Sequence, residues 1–250
     1  MKFIIEPSNG SWVAIKPGLR EEDLVQRLAN ADILVSDLDD TDAPSPAKAI
    51  ARNGLITPSY LVDPKFWLWI LGTEYQLARK GRSAEPYRWE IFIQKFLKNP
   101  KELARLRKKY TPESVMPKLY PGVSEFYALL PLWVIKLYLT MNIRKVAEAY
   151  RDAVGFDEIM FEQFDKQKGI QRVVNSHPEI KRFIVKGNSA EDESMLEVLA
   201  GLRRRGEIEE VTSIYVTDSP HKLNPRFDAN IGRDYRGLVQ LIRAYQVLLQ

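Results

Sequence analysis

Hydrophobic and polar positions along the chain fall into two alternating rhythms. Near the start, KFIIEP and SWVAIKP flank SNG, a pattern that predicts a small hairpin. GLREEDLVQRLANA follows with helical spacing and with acids in its first turn, where the helix dipole favours them. ADILVSD is apolar but too short for a helix, so it reads as a buried strand. From residue 134 the alternation becomes regular. VIKLYLT, DEIMFEQ, RFIVKG and VTSIYV read as strands. NIRKVAEAYRDAV, ending at Gly155, KGIQRVVNSHP, stopped by Pro178, and DESMLEVLAGLRRRG read as the helices between them. GRDYRGLVQLIRAYQVLLQ closes the chain as a helix. Strands alternating with helices predict an α/β protein, a parallel sheet covered on both faces.

The stretch from 43 to 118 breaks this alternation. DPKFWLWILGTEYQLARKG, YRWEIFIQKFLKN and PKELARLRKKY carry helical spacing, and nothing between them reads as a strand. The expected organisation is therefore a core of residues 1–42 and 119–250, with an N-terminal hairpin extension over about 1–18, and an all-helical insertion over 43–118. Phe66, Trp67, Trp69, Tyr75, Trp89, Phe92 and Phe96 recur at helical spacing and read as the insertion's own core, with one or two rings left to face a ligand.

Composition narrows the chemistry. With 250 residues, 45% hydrophobic and 28% charged, the chain suits a soluble globular protein. It has no cysteine, which excludes disulfides, thiolate nucleophiles and zinc–thiolate sites; its two histidines support no histidine metal cluster. MKFIIEP does not read as a secretory signal. FYALLPLWVIKLYLT, interrupted by Pro131 and Lys136, falls short of the roughly 20 residues of a membrane helix. The expected location is cytoplasmic, with no membrane partner. A net charge of +4 is a modest basic excess suited to phosphorylated small molecules. The cations of KELARLRKKY read first as a solvated helix end, then as a lure for an anionic substrate, and only third as a nucleic-acid contact.

One stretch stands apart. ILVSDLDDTDAPSP, residues 33–46, crowds Asp37, Asp39, Asp40 and Asp42 at the end of a buried strand, where they repel one another. In an open parallel sheet, ligands bind at the carboxyl edges of the strands, and Asp37, Thr140 and the Gly187-Asn188-Ser189 turn all fall there. Two carboxylates at this spacing can divide the labour of phosphoryl transfer. One attacks phosphorus and forms an aspartyl-phosphate; the other protonates the leaving oxygen and later takes a proton from water. Such crowding calls for a hard cation, and magnesium takes oxygen ligands. Asp40 and Asp42 read differently, as residues that solvate the loop or cap a helix beginning at Pro44.

With these residues in view, the sequence resembles the haloacid dehalogenase superfamily of phosphatases. The family's first motif, an apolar strand followed by D-x-D-x-T, is met by ILVSDLDDT with Asp37, Asp39 and Thr41. The second, a strand ending in Ser or Thr, is met by VIKLYLT with Thr140. The third, a lysine near a helix start, is met in FDKQKGIQRVV by Lys168, with Lys166 as the alternative. The fourth, often G-D-x-x-x-D after a strand, is met in IVKGNSAEDESM by Gly187, Asn188 and Asp192. The motifs occur in the family's order, with room for a cap only between the first two.

The resemblance implies a Rossmann-like core with a helical cap and a magnesium-dependent phosphatase acting on a small phosphorylated metabolite. It makes Asp37 the nucleophile, Asp39 the acid and then base, and Lys168 the neutralising cation. Thr41, Thr140 and the backbone amides of Met141 and Asn142 would hold phosphoryl oxygens. Asp37, the Asp39 carbonyl, Asn188 and Asp192 would place Mg2+. Members that dehalogenate lack the second aspartate, so Asp39 argues for a phosphate ester. The departure is Asn188, where the family usually has a metal-binding aspartate. It supports a rival reading, a catalytically weak relative that binds a phosphorylated ligand or a protein partner.

Overall fold

The computed structural model describes residues 1–8, 10–44, 118–142, 144–163 and 165–246, with seven separate positions between 64 and 104. Apart from its ends and those positions, the expected insertion lies outside the described residues, and with it Phe66, Trp69, Trp89, Phe92 and Phe96. Trp67 and Tyr75 are described and exposed.

The N-terminal strands β1 (Lys2–Ser8) and β2 (Ser11–Ile15) form the expected hairpin. Helix α1 (Glu21–Ala29) buries Leu24, Val25 and Leu28 on one stripe and leads into β3 (Ile33–Ser36). Beyond residue 118 come α2 (Val123–Leu129), β4 (Ile135–Leu139), α3 (Arg144–Val154) and β5 (Glu158–Met160). Next are α4 (Lys166–Ser176), β6 (Arg182–Gly187) and α5 (Ala190–Arg204). The chain closes with β7 (Glu210–Thr217), β8 (Ala229–Gly232) and α6 (Arg236–Gln246).

All eight strands make one sheet in the order β1-β2-β8-β7-β6-β3-β4-β5. Strands β8 to β5 in that order run parallel, while β2 joins β8 antiparallel. The hairpin is thus an edge of the main sheet. Two elements differ from the sequence reading. Strand β8 (ANIG) is too short and too polar to show a period, and α2 is a seven-residue helix that runs into the start of what read as one apolar run.

Helices cover both faces, which is why β3 is buried at every position. Leu34, Tyr138, Ile184 and Ile214 pack on one face with α1, α2 and α6. Ile33, Val35, Leu137, Leu139, Phe183 and Val185 pack on the other with α4 and α5. Because strand side chains alternate, consecutive residues at the end of β3 address different layers. Among the described residues no helix is long and apolar enough to cross a membrane.

Candidate active site

Asp37 follows β3 directly, and its amide donates to the Lys186 carbonyl of β6 at 2.9 Å. Its carboxylate is buried. Oδ1 accepts from Lys166 Nζ at 2.8 Å and Oδ2 from the Thr41 hydroxyl at 3.2 Å. Burial pushes the Asp37 carboxyl up to about 6, with Lys166 opposing the rise and Asp192 adding to it. Burial pulls on the Lys166 ammonium in the other direction, but Asp37 and Asp192 together hold it above its ordinary value.

The lysine at this position is Lys166, which corrects the preference for Lys168. Asp165 caps α4, accepting from the Lys168 amide, so the helix begins at Lys166. Two residues along a helix turn the side chain by roughly 200°, so only one of the two can face the sheet edge. Lys166 does, also donating to the Leu139 carbonyl at the end of β4 and standing 3.6 Å from Asp192. Lys168 points outward, 77% exposed, and pairs with Asp165 at 3.2 Å.

The second aspartate is tied to β4's end by a side chain that the sequence reading had used only for its backbone. Asn142 Nδ2 donates to Asp39 Oδ2 at 2.6 Å and lies 3.2 Å from Thr140 Oγ1. The Asn142 amide also donates to Thr140 Oγ1, at 3.2 Å, so it turns back into its own loop. With donors filling its acceptor side, the buried Thr140 hydroxyl keeps its hydrogen for an oxygen beyond the loop. Met141 is half-buried beside it.

Across the edge, Gly187, Asn188 and Ser189 lead from β6 into α5. Asp192 Oδ2 accepts from the Asn188 amide at 2.9 Å, the Ser189 amide at 3.1 Å and the Ser189 hydroxyl at 2.8 Å, completing a capping box. A Cβ at Gly187 would collide with the Asp192 carboxyl, so only glycine allows this closure. Asp192 Oδ1 is buried without a hydrogen-bond partner and faces Lys166. Asp192 thus holds the start of α5 through Oδ2 alone, and Oδ1 is turned toward Lys166 and the site. Among the described residues no three acidic or histidine side chains converge as a metal-holding group. The oxygens at this edge that could hold a cation are the Asp37 carboxylate, the Asp39 carbonyl, which also accepts from the Thr41 hydroxyl at 3.4 Å, Asp192 Oδ1 and the Asn188 side-chain oxygen. This all-oxygen set suits magnesium, which binds through one or two carboxylates and keeps waters or phosphate oxygens for the rest.

The remaining acids correct the sequence reading too. Asp40 takes a left-handed conformation, φ 55°, and pairs with Arg233 at 3.4 Å. Asp42 is wholly buried and ion-paired to Lys186, neither solvating the loop nor capping a helix.

No protein-family model matches the sequence, and no curated protein matches it. Solved structures do. YfnB of Bacillus subtilis, assigned as a HAD-hydrolase and bound to magnesium, aligns over 85% of this chain and 99% of its own, with 14% identity and a TM-score of 0.50. A phosphoserine phosphatase, as a phospho-aspartyl intermediate analogue, aligns over 84% and 98% at 13% identity and TM-score 0.50. A HAD family hydrolase of Salmonella enterica serovar Typhi aligns over 84% and 70% at 14% identity and TM-score 0.51. The chain has the fold of the haloacid dehalogenase superfamily.

Proposed function

We propose that the protein is a magnesium-dependent hydrolase of small phosphate monoesters that works through an aspartyl-phosphate. The observation that carries this reading is the buried Asp37–Lys166 pair at the carboxyl edge of β3, with Asp39 and Thr140 joined beside it through Asn142. A phosphoserine phosphatase of similar fold, whose structure holds a phospho-aspartyl intermediate analogue, supports it.

Asp37 attacks phosphorus, and the leaving oxygen departs with a proton from Asp39. Asp39 then takes a proton from the water that attacks the aspartyl-phosphate, which frees Asp37 and releases phosphate. Lys166 offsets the charge of Asp37 and of the phosphoryl oxygens. The Thr140 hydroxyl donates to one of those oxygens, and Asn142 orients the Asp39 carboxyl. Asp37, the Asp39 carbonyl, Asn188 and Asp192 would hold magnesium, which draws charge from the phosphoryl oxygens when bound.

The second reading, a weakly catalytic relative that binds a phosphorylated ligand or a protein partner, is favoured by Asn188, an amide where the family usually has an aspartate. One experiment separates them. Hydrolysis of 4-nitrophenyl phosphate is followed for wild type, Asp37→Asn and Asn188→Asp, with magnesium titrated against EDTA. Magnesium-dependent turnover that Asp37→Asn abolishes is the expected result. Turnover only in Asn188→Asp favours the second reading, and turnover indifferent to Asp37 sinks the first.

A further inference from the structure

A second buried ion pair sits on the other face of the sheet from Asp37–Lys166. Tyr138, Ser36 and Lys186 are register partners on β4, β3 and β6, one residue short of Asp37. They face the layer that holds α2 and α6, and the Asp42 carboxylate is turned down onto them. Asp42 accepts from Lys186 Nζ, from the Tyr127 hydroxyl, from the Tyr138 hydroxyl at 2.8 Å and from the Tyr235 hydroxyl at 3.1 Å. Lys186 also donates to the Tyr127 hydroxyl and lies over the rings of Phe126, Tyr127 and Tyr235, 4.4 to 5.4 Å from their centroids. Asp42, Lys186, Tyr138 and Tyr235 are 0% exposed.

Such a cluster is an uneconomical way to fill a core. Desolvating a lysine and a carboxylate cancels much of their attraction, and apolar residues of similar size often serve stability as well or better. Burial lowers the Lys186 ammonium below its ordinary value, and burial beside Asp42 raises all three tyrosines well above theirs, so the hydroxyls stay donors. What the cluster does hold is one loop. Asp42 lies five residues after Asp37, in the turn that carries Asp39. Its amide donates to the Leu38 carbonyl at 3.0 Å, and its carbonyl accepts from the Tyr120 amide at 2.8 Å. Tyr235 also donates to the Thr41 carbonyl at 2.9 Å, Ser36 donates to the Asp37 carbonyl at 2.6 Å, and Asp39 bridges to Ala43. Four elements (α2, β4, β6 and the start of α6) grip the turn through one carboxylate.

We propose that Asp42, with Lys186 and the tyrosines 127, 138 and 235, is a positioning device that sets Asp39 at the distance and angle its proton transfer needs. The inference rests on the phosphatase reading. It assigns these residues no contact with substrate; they act through Asp39.

The test compares kcat/KM for phenyl phosphate and 4-nitrophenyl phosphate, because phenol leaves less readily and needs the proton more. The parameter covers steps up to transfer onto Asp37, so the second step does not blur it. The variants are Tyr138→Phe, which keeps the ring stacked on Phe156, and the pair Asp42→Asn/Lys186→Met, which leaves no buried charge alone. Asp39→Asn serves as the reference. The paired variant should lose on the order of 100-fold on phenyl phosphate, and markedly less on 4-nitrophenyl phosphate, in the direction set by Asp39→Asn. Tyr138→Phe should move the same way by a smaller factor. Equal losses on both esters overturn the inference, since a smaller folded fraction scales both alike. If wild type cleaves neither ester, the phosphatase reading falls first and takes the inference with it.

Discussion

Lys166 donates to Asp37 at 2.8 Å, and both side chains are almost wholly shut off from solvent. The pair supplies charge where a phosphoryl group would arrive, and it cannot be broken on one side without leaving a buried charge. Lys166→Met should therefore reduce hydrolysis by on the order of 100-fold and cost about 3–5 kcal/mol of stability. Lys168→Met removes only an exposed partner of Asp165 and should stay within about 0.5 kcal/mol of wild type, with activity unchanged. Urea unfolding beside an aryl phosphate assay reads both quantities. A Lys168 variant that loses activity while Lys166→Met keeps it would reverse the assignment.

Asn142 links Asp39, the proposed acid and base, to Thr140, the proposed phosphate contact. Asn142→Ala removes a 2.6 Å donor from Asp39 and should cost about 1 kcal/mol of stability, with kcat falling about tenfold. Asn142→Asp should be worse for catalysis, because two carboxylates at that separation cannot both ionise freely and one must retain a proton. Steady-state kinetics on all three proteins, with unfolding midpoints as control, decides the matter. Equal kcat in wild type and Asn142→Asp would remove Asn142 from the site.

Much of this was legible in the sequence because a sheet covered on both faces writes its central strands as unbroken apolar runs, as in ILVS and FIV. ANIG was not, since four residues with an asparagine and a glycine carry no period. The choice between Lys166 and Lys168 turned on helical phase, and the signal was Asp165, a capping residue that starts the helix one position before Lys166. Lys186 was a signal as well. A lysine inside RFIVKG needs a buried counter-charge, but which of the crowded acids supplies it depends on the turn after β3. Asp192 was found by motif, yet its engagement with the start of α5 follows from capping geometry that the motif alone does not state.

At Gly187 the chain passes so close to Asp192 that an added methyl group would overlap its carboxyl. Gly187→Ala must open the capping box or shift α5, and Asp192 moves away from Lys166 in either case. The expected cost is about 2–3 kcal/mol, overpacking together with a weakened cap. Urea unfolding of the variant measures it. A loss under about 0.5 kcal/mol would mean that the close approach is not maintained in solution.

The acid limb of stability should report Asp37 directly. Its carboxyl rises from the ordinary 3.8 to about 6 on folding, chiefly through burial, so the folded protein binds this proton more tightly than the unfolded chain. A raised folded value means that Asp37 contributes its stabilisation fully below about pH 4 and loses it as pH climbs through about 6. That rise corresponds to about 3 kcal/mol. Asp37→Asn has no such proton. In EDTA, the stability of wild type minus that of Asp37→Asn should therefore fall by about that amount between pH 4 and pH 7 and stay level above it. Lys166 acts in a separate window: its raised value keeps its contribution intact until alkaline pH. Urea unfolding of the two proteins at half-unit pH steps reads the difference curve. A flat curve, or one that rises with pH, would place the Asp37 carboxyl at or below its ordinary value and make Lys166, not burial, the dominant influence on it.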